Sequence, residues 1–199
     1  MKILVIGASG TIGQAVVQAL SPRHEIVQAS RQSAGHPVDI TRHESVQALF
    51  ERVGRVDAIV SATGSLHFGP LSSMTAAQFQ TGLQDKLLGQ VDLALTGQHF
   101  LNDGGSITLT SGIVSDEPIA QGANATTVNA AVDGFVRAAA VELGRGIRIN
   151  SVSPNVLQES MAVYGPFFPG FEPVPASRVA LAYCRSVEGV QTGRVLRVW

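Results

Sequence analysis

A doubly wound α/β fold, a parallel sheet with helices on both faces, is predicted by three observations. Strand-like runs alternate with helical patterns from one end of the chain to the other. The first run, Lys2-Ile3-Leu4-Val5-Ile6, is almost unbroken in apolar residues, as a strand buried on both faces is. It leads straight into Gly7-Ala8-Ser9-Gly10-Thr11-Ile12-Gly13, which opens a helix. A glycine turn there lets backbone amides approach a pyrophosphate, and the helix N-terminus points its positive end at the same charge. Three spaced glycines alone also suit a tight turn. The strand before and the helix after favour the nucleotide reading.

The first strand covers residues 3–6. A helix over 11–20 places Ile12, Val16, Ala19 and Leu20 on one face, and Ser21-Pro22 ends it. Strand two is 24–29. A polar loop, 30–37, leads to a brief third strand, Val38-Asp39-Ile40. Thr41 with Glu44 three residues on predicts a capping box for the next helix, which Gly54 ends. Strand four is 56–61, followed by a loop over 64–71. Residues 75–100 read as one long helix, or as two joined near Gly82 or Gly89. Strand five is 106–110, an alanine- and valine-rich helix covers 126–143, and strand six is 147–152. Residues 153–175 are irregular and hold five prolines. A helix over 176–187 and a strand over 194–199 complete seven strands. Ligands in such sheets bind beyond the carboxyl ends of the strands, so the loops after strands one, four, five and six should converge there.

With 199 residues, 45% of them apolar and 15% charged, the expectation is one soluble globular domain over 1–199. The net charge of -1 and the absence of a basic patch interleaved with aromatics argue against nucleic acid as a partner. Cys184 is the single cysteine, so no internal disulfide can form, which is compatible with the cytoplasm. No stretch is long enough to span a membrane, and the N-terminal run is too short for a signal peptide. Five scattered histidines, none paired at ligand spacing with another His or Cys, predict no metal site. No Gly-x-Ser-x-Gly elbow is present.

The order of these motifs resembles the short-chain dehydrogenase/reductase family along nearly the whole chain. Gly7-x-x-Gly10-x-x-Gly13 is similar to its glycine motif, although the more usual spacing of first, fifth and seventh positions is not met. Asp39-Ile40-Thr41 resembles the segment that contacts adenine. Ser61-Ala62-Thr63-Gly64 stands where the family commonly has Asn-Asn-Ala-Gly, and residues 106–111 resemble the strand that ends in the catalytic serine, here Ser111. The most specific stretch, residues 146–154, resembles the strand leading to the nicotinamide end, with Asn155 in place of the usual following glycine. The resemblance implies a Rossmann sheet in the order 3-2-1-4-5-6-7. With about eight residues between strands two and three, the usual helix there is cut down or absent. It also implies a cofactor site made of Gly7, Ser9, Gly10, Thr11, Ile12, Gly13, Ser30, Arg31, Asp39, Ile40, Ala62, Gly64, Pro154 and Val156, and a short lid around 155–175.

Typical members use a Tyr as general acid/base and a Lys four residues later, which lowers its pKa. Aligning Ala130-Ala131-Val132-Asp133-Gly134 with the helix that holds them puts Asn129 at the Lys position and Ala125 at the Tyr position. Neither can transfer a proton. The family's helical Asn matches Lys86, so Lys and Asn have exchanged places. Lys86 then either supplies the positive charge near Ser111 and Asn129 or is a solvated helix lysine. Tyr164, in the proline-rich segment, is a candidate replacement acid, or a packing aromatic beside Phe167 and Phe168. His67 follows the strand-four loop and is a weaker candidate.

Strand two ends Ala29-Ser30-Arg31, with no carboxylate for a ribose 2′-OH. Arg31 can hold a 2′-phosphate, with Ser30 adding a hydrogen bond, which predicts NADP(H). Two functions follow. One is an NADPH-dependent oxidoreductase acting on a small carbonyl or alcohol. The other is an NADP(H)-binding sensor or regulator that has lost catalysis. The helices over 75–100 and 123–141 look like those that family members pair across a two-fold axis, so a homodimer or homotetramer is expected.

Overall fold

In a computed structural model that describes residues 1–199, the strands are β1 (Lys2–Ile6), β2 (Glu25–Ala29), β3 (Val56–Ser61), β4 (Leu101–Thr110), β5 (Arg148–Pro154) and β6 (Val195–Val198). They pair in the order β2-β1-β3-β4-β5-β6, and every pairing is parallel. The sheet thus has six strands rather than the expected seven, and its order is the expected one without the outermost strand. Residues 38–40 form a loop, and only a single bridge from Ser30 to Pro37 touches the sheet edge. Pro37 has no N–H to give to a ladder. Asp39 turns onto its own loop: its Oδ1 accepts from the Thr41 amide at 3.0 Å and the Thr41 hydroxyl at 2.7 Å. These bonds hold the Asp39 carboxyl below its ordinary range. They also engage the Thr41 side chain, so the expected capping box does not form. The helix α2 (His43–Val53) starts one residue later, after Arg42.

Alternation along the strands sends side chains to two cores. From β1, Ile3 and Val5 pack with Val16 and Leu20 of α1 (Thr11–Leu20). Leu4 and Ile6 go to the other face, with Val46, Leu49 and Phe50 of α2. Each such side chain fully buried contributes about 1.5–3 kcal/mol.

The region over 75–100 is a joined pair of helices, α3 (Ala76–Gly82) and α4 (Gly89–Gly97), linked by a π turn over Leu83–Leu88. The two glycines singled out as joints bound that turn. Thr75 and Gln78 form a capping box at the start of α3. Gly89 packs so closely on Ile40 that a Cβ would meet its side chain at 2.9 Å. Then come α5 (Ala123–Glu142), α6 (Met161–Tyr164) and α7 (Ala176–Glu188). α4 and α5 lie on the α2 side of the sheet, and α7 lies beside α1. α7 buries Tyr183, whose hydroxyl meets Thr110 Oγ1 at 2.5 Å; Thr110 in turn donates to the Ser61 carbonyl. That direction makes Tyr183 the donor to Thr110. No helix is long and apolar enough to cross a membrane.

Candidate functional site

The carboxyl ends of β1, β3, β4 and β5 open onto two adjoining cavities. After β1, Gly7 takes a φ of +81°, and a Cβ there would collide with the Ala62 carbonyl beyond β3. A Cβ on Gly13 would collide with the Gly7 carbonyl. The loop is therefore pressed against both its own helix and the neighbouring strand end. Gly10 is the N-cap of α1, and no side chain caps that terminus.

A cavity of about 250 Å³ runs over this loop, lined by Gly7, Ser9, Gly10 and Ala62, with Ser30 and Arg31 at the end of β2. Ile40 lines it too, whereas Asp39 lines an adjoining cavity with Arg31 and Arg52. Thr11, Ile12 and Gly13 stand behind, in the first turn of α1. Gly64 and Ser65 line both this cavity and a second one of about 310 Å³. The second contains Lys86, Ser111, Asn129, Pro154, Val156 and Tyr164. All four residues expected to act in catalysis thus share one pocket. His67 lines neither; its amide donates to Asn124 Oδ1 at 3.0 Å.

Lys86 is only 7% exposed, and its Nζ donates to the Ser111 carbonyl at 2.8 Å. It is not a solvated helix lysine. Burial pushes its pKa down to about 8, opposed by the charge of Asp133. Gly64, at φ +119°, leaves the space across which the Lys86 stem lies. Gln90 fastens the π turn to the end of β4: its Nε2 donates to the Lys86 and Thr110 carbonyls, and its Oε1 accepts from the Thr110 amide. The Ser111 amide is held by the Val152 carbonyl at 2.9 Å, while its Oγ has only a long 3.5 Å contact with the same oxygen. The hydroxyl is thereby left with weak competition for a ligand.

α5 lays Ala125, Asn129 and Asp133 on one buried face, four residues apart. Asn129 Oδ1 is buried with no hydrogen-bond partner in the protein. Asp133 Oδ1 accepts from Ser151 Oγ at 2.6 Å. Tyr164 is 41% exposed and tilts against Phe68, ring centroids 5.7 Å apart. Asn155 ties the end of β5 to the segment above the pocket: its Oδ1 accepts from the Val156 amide and its Nδ2 donates to the Glu172 carbonyl. Glu159 then accepts from the Ala176 amide at the start of α7.

Three participants were missed from the sequence. Asp133 was signalled by its four-residue step from Asn129 on the same helix. Asp85, whose Oδ2 lies 3.2 Å from Arg31 Nη2, and Gln90 gave no signal, because the π turn breaks the period by which helix faces are read.

A parallel sheet with a glycine loop after its first strand, and beyond its middle strands an open pocket walled by the buried side chains of Lys86, Ser111 and Asn129, defines a dinucleotide-fold protein. The chain belongs to the short-chain dehydrogenase/reductase family: the family model described as enoyl-(acyl carrier protein) reductase matches residues 10–190. The solved structure of the protein lin1944 from Listeria innocua is similar over 100% of both chains, at 52% identity and a TM-score of 0.98. A small-chain dehydrogenase in complex with NADPH is 28% identical, with a TM-score of 0.89 over 100% of this chain and 96% of that one. Hydroxynaphthalene reductase arp2 of Aspergillus fumigatus is 27% identical over 160 residues, which cover 78% of this chain and 56% of that protein. Versicolorin reductase 1 of Dothistroma septosporum is 31% identical over 124 residues, 60% of this chain and 47% of that protein. The chain spans about half the length of these two relatives.

Proposed function

We propose that this chain is an NADPH-dependent reductase of a compact, largely apolar carbonyl compound. The observation that carries the reading is that the glycine-loop cavity adjoins, across Gly64 and Ser65, the pocket that holds Lys86, Ser111 and Asn129. The residues fit a dinucleotide. Gly7 and Gly13 leave no room for side chains, Arg31 offers a cation at the end of β2 where a 2′-phosphate would be held, and Asn129 Oδ1 is a buried acceptor in want of a donor such as a ribose hydroxyl. The remaining cofactor contacts are proposed at Ser9, Gly10, Thr11, Ile12, Ser30, Asp39, Ile40, Ala62, Gly64, Pro154 and Val156. The NADPH-bound structural neighbour supports the choice of cofactor.

When bound, the reduced nicotinamide supplies a hydride to the carbonyl carbon. Ser111 Oγ donates to the carbonyl oxygen and holds it in place. Lys86 delivers the proton that this oxygen needs as the C–O double bond becomes single, and it is recharged from solvent. A group that titrates near neutrality is suited to that step, and Lys86 does so with a pKa of about 8. Ala125 and Asn129, which we read as standing at the usual Tyr and Lys positions, have no proton to exchange. The segment over 155–175 acts as a lid, with Tyr164 and Phe168 as walls. Aromatic lining from Phe68, Tyr164 and Phe168 favours a flat substrate, in line with the hydroxynaphthalene and versicolorin reductases among the relatives.

Ala125 favours a second reading, an NADP(H)-binding sensor without turnover. NADPH oxidation followed with 4-nitrobenzaldehyde and 1-tetralone as probes separates the two. Turnover that is lost in Ser111→Ala while NADPH still raises the melting temperature supports the reductase. A thermal shift with no oxidation in the unaltered protein supports the sensor. We also propose a homodimer through α4 and α5, where Leu95, Phe135 and Ala139 line an apolar groove and Leu95 is half exposed. Light scattering at the monomer mass would overturn it.

A further inference from the structure

The end of β2 has no carboxylate, yet the fold delivers one to the same place. Asp85 comes from the π turn, 54 residues further along the chain, and its Oδ2 lies 3.2 Å from Arg31 Nη2. Both side chains line the cleft over the glycine loop, beside Ser30. Arg31 also stands close enough to Asp39 to help lower its carboxyl. We propose that Asp85 sets the dinucleotide preference of this cleft by holding the guanidinium that a 2′-phosphate would otherwise take. The inference rests on the nucleotide reading above and concerns which nucleotide is preferred.

The chemistry of the two charges is opposed. A carboxylate accepts from a free ribose 2′-OH and repels a 2′-phosphate. A guanidinium pairs with the phosphate through two parallel N–H groups. Here one oxygen meets one nitrogen, so the pair is not a two-pronged fork, and Arg31 keeps N–H groups for another acceptor. Arg31 is 61% exposed in its side chain and can swing, whereas Asp85 is 14% exposed and stays fixed on the π turn. Binding of NADPH therefore makes the phosphate share the guanidinium with Asp85 and places a dianion near a carboxylate. Binding of NADH requires neither. Arg31 favours the phosphate and Asp85 opposes it, so the unaltered protein discriminates less than Arg31 alone would dictate.

The test is equilibrium titration of NADPH and NADH, by quenching of Trp199 fluorescence or by calorimetry, against the unaltered protein, Asp85→Asn and Arg31→Ala. The expected result for Asp85→Asn is NADPH tighter by about three- to fivefold, with NADH held within twofold. The unchanged NADH affinity also shows that the variant is folded. Arg31→Ala should weaken NADPH and leave NADH nearly unaltered. Equal changes for both dinucleotides in Asp85→Asn, or weaker NADPH, would overturn the role of Asp85 and leave the nucleotide reading intact. Binding of neither dinucleotide to any of the proteins would overturn both.

Discussion

Replacing Lys86 by Met removes the one ammonium buried in the substrate pocket, and its consequence for stability can be worked out. Folding lowers the lysine pKa from 10.5 to about 8. The folded value lies below the unfolded one, so between about pH 8 and 10.5 the unfolded chain binds more protons, and stability rises with pH across that window. Below pH 8 the full cost of keeping the ammonium buried is present, about 3 kcal/mol. Going from pH 7 to pH 9.5 relieves about 2 kcal/mol of it. Lys86→Met has no such group. It also loses the bond to the Ser111 carbonyl, but at both pH values alike. The raised thiol of Cys184 titrates in both proteins and cancels in the comparison. Urea unfolding of the two proteins at pH 7 and 9.5 is the assay. The unaltered protein should gain about 2 kcal/mol more than Lys86→Met over that interval, or about 4–8 °C in melting temperature. An equal change in both would show that Lys86 is hydrated and would remove it as a proton donor.

Further outcomes are expected from neighbouring residues. In the direction of carbonyl reduction Lys86 must be protonated, so kcat/KM should fall as pH rises through about 8. Asp133→Asn should move that limb to lower pH, since the Asp133 charge supports the ammonium; an unmoved limb in a pH–rate profile would count against Lys86 as the titrating group. Tyr183→Phe removes the donor to Thr110 Oγ1 inside the core and should cost about 1–3 kcal/mol in urea unfolding. Gly13→Ala would thrust a methyl group into the Gly7 carbonyl; calorimetric titration should show NADPH affinity lost or reduced more than tenfold.

Much of the fold could be read in advance because its signals are local. The apolar run of β1, the glycine turn after it and the alternation of periods are properties of neighbouring residues. The joint between α3 and α4 was readable from Gly82 and Gly89, although not that a π turn fills it. The third strand failed because Val38-Asp39-Ile40 has strand-like residues but no length, and a side-chain bond from Asp39 to Thr41 wins over a ladder. In the site, the resemblance of residues 106–111 and of the helix around Asp133 to family segments was enough to expect Ser111 and Asn129 in one pocket. The inward turn of Lys86 rests on space that Gly64 leaves, and the approach of Asp85 to Arg31 joins elements far apart in sequence. Neither is written in any local pattern.

Hydride transfer across the two adjoining cavities is the central requirement of the proposed reductase. Incubation with NADPH deuterated at both C4 positions, with 4-nitrobenzaldehyde as the probe, followed by mass spectrometry of the alcohol, tests it most directly. One deuterium at the carbinol carbon, formed by the unaltered protein and lost in both Ser111→Ala and Lys86→Met while NADPH binding persists, is the predicted result. Bound NADPH with no deuterated alcohol, or labelling that survives in Ser111→Ala, would contradict it.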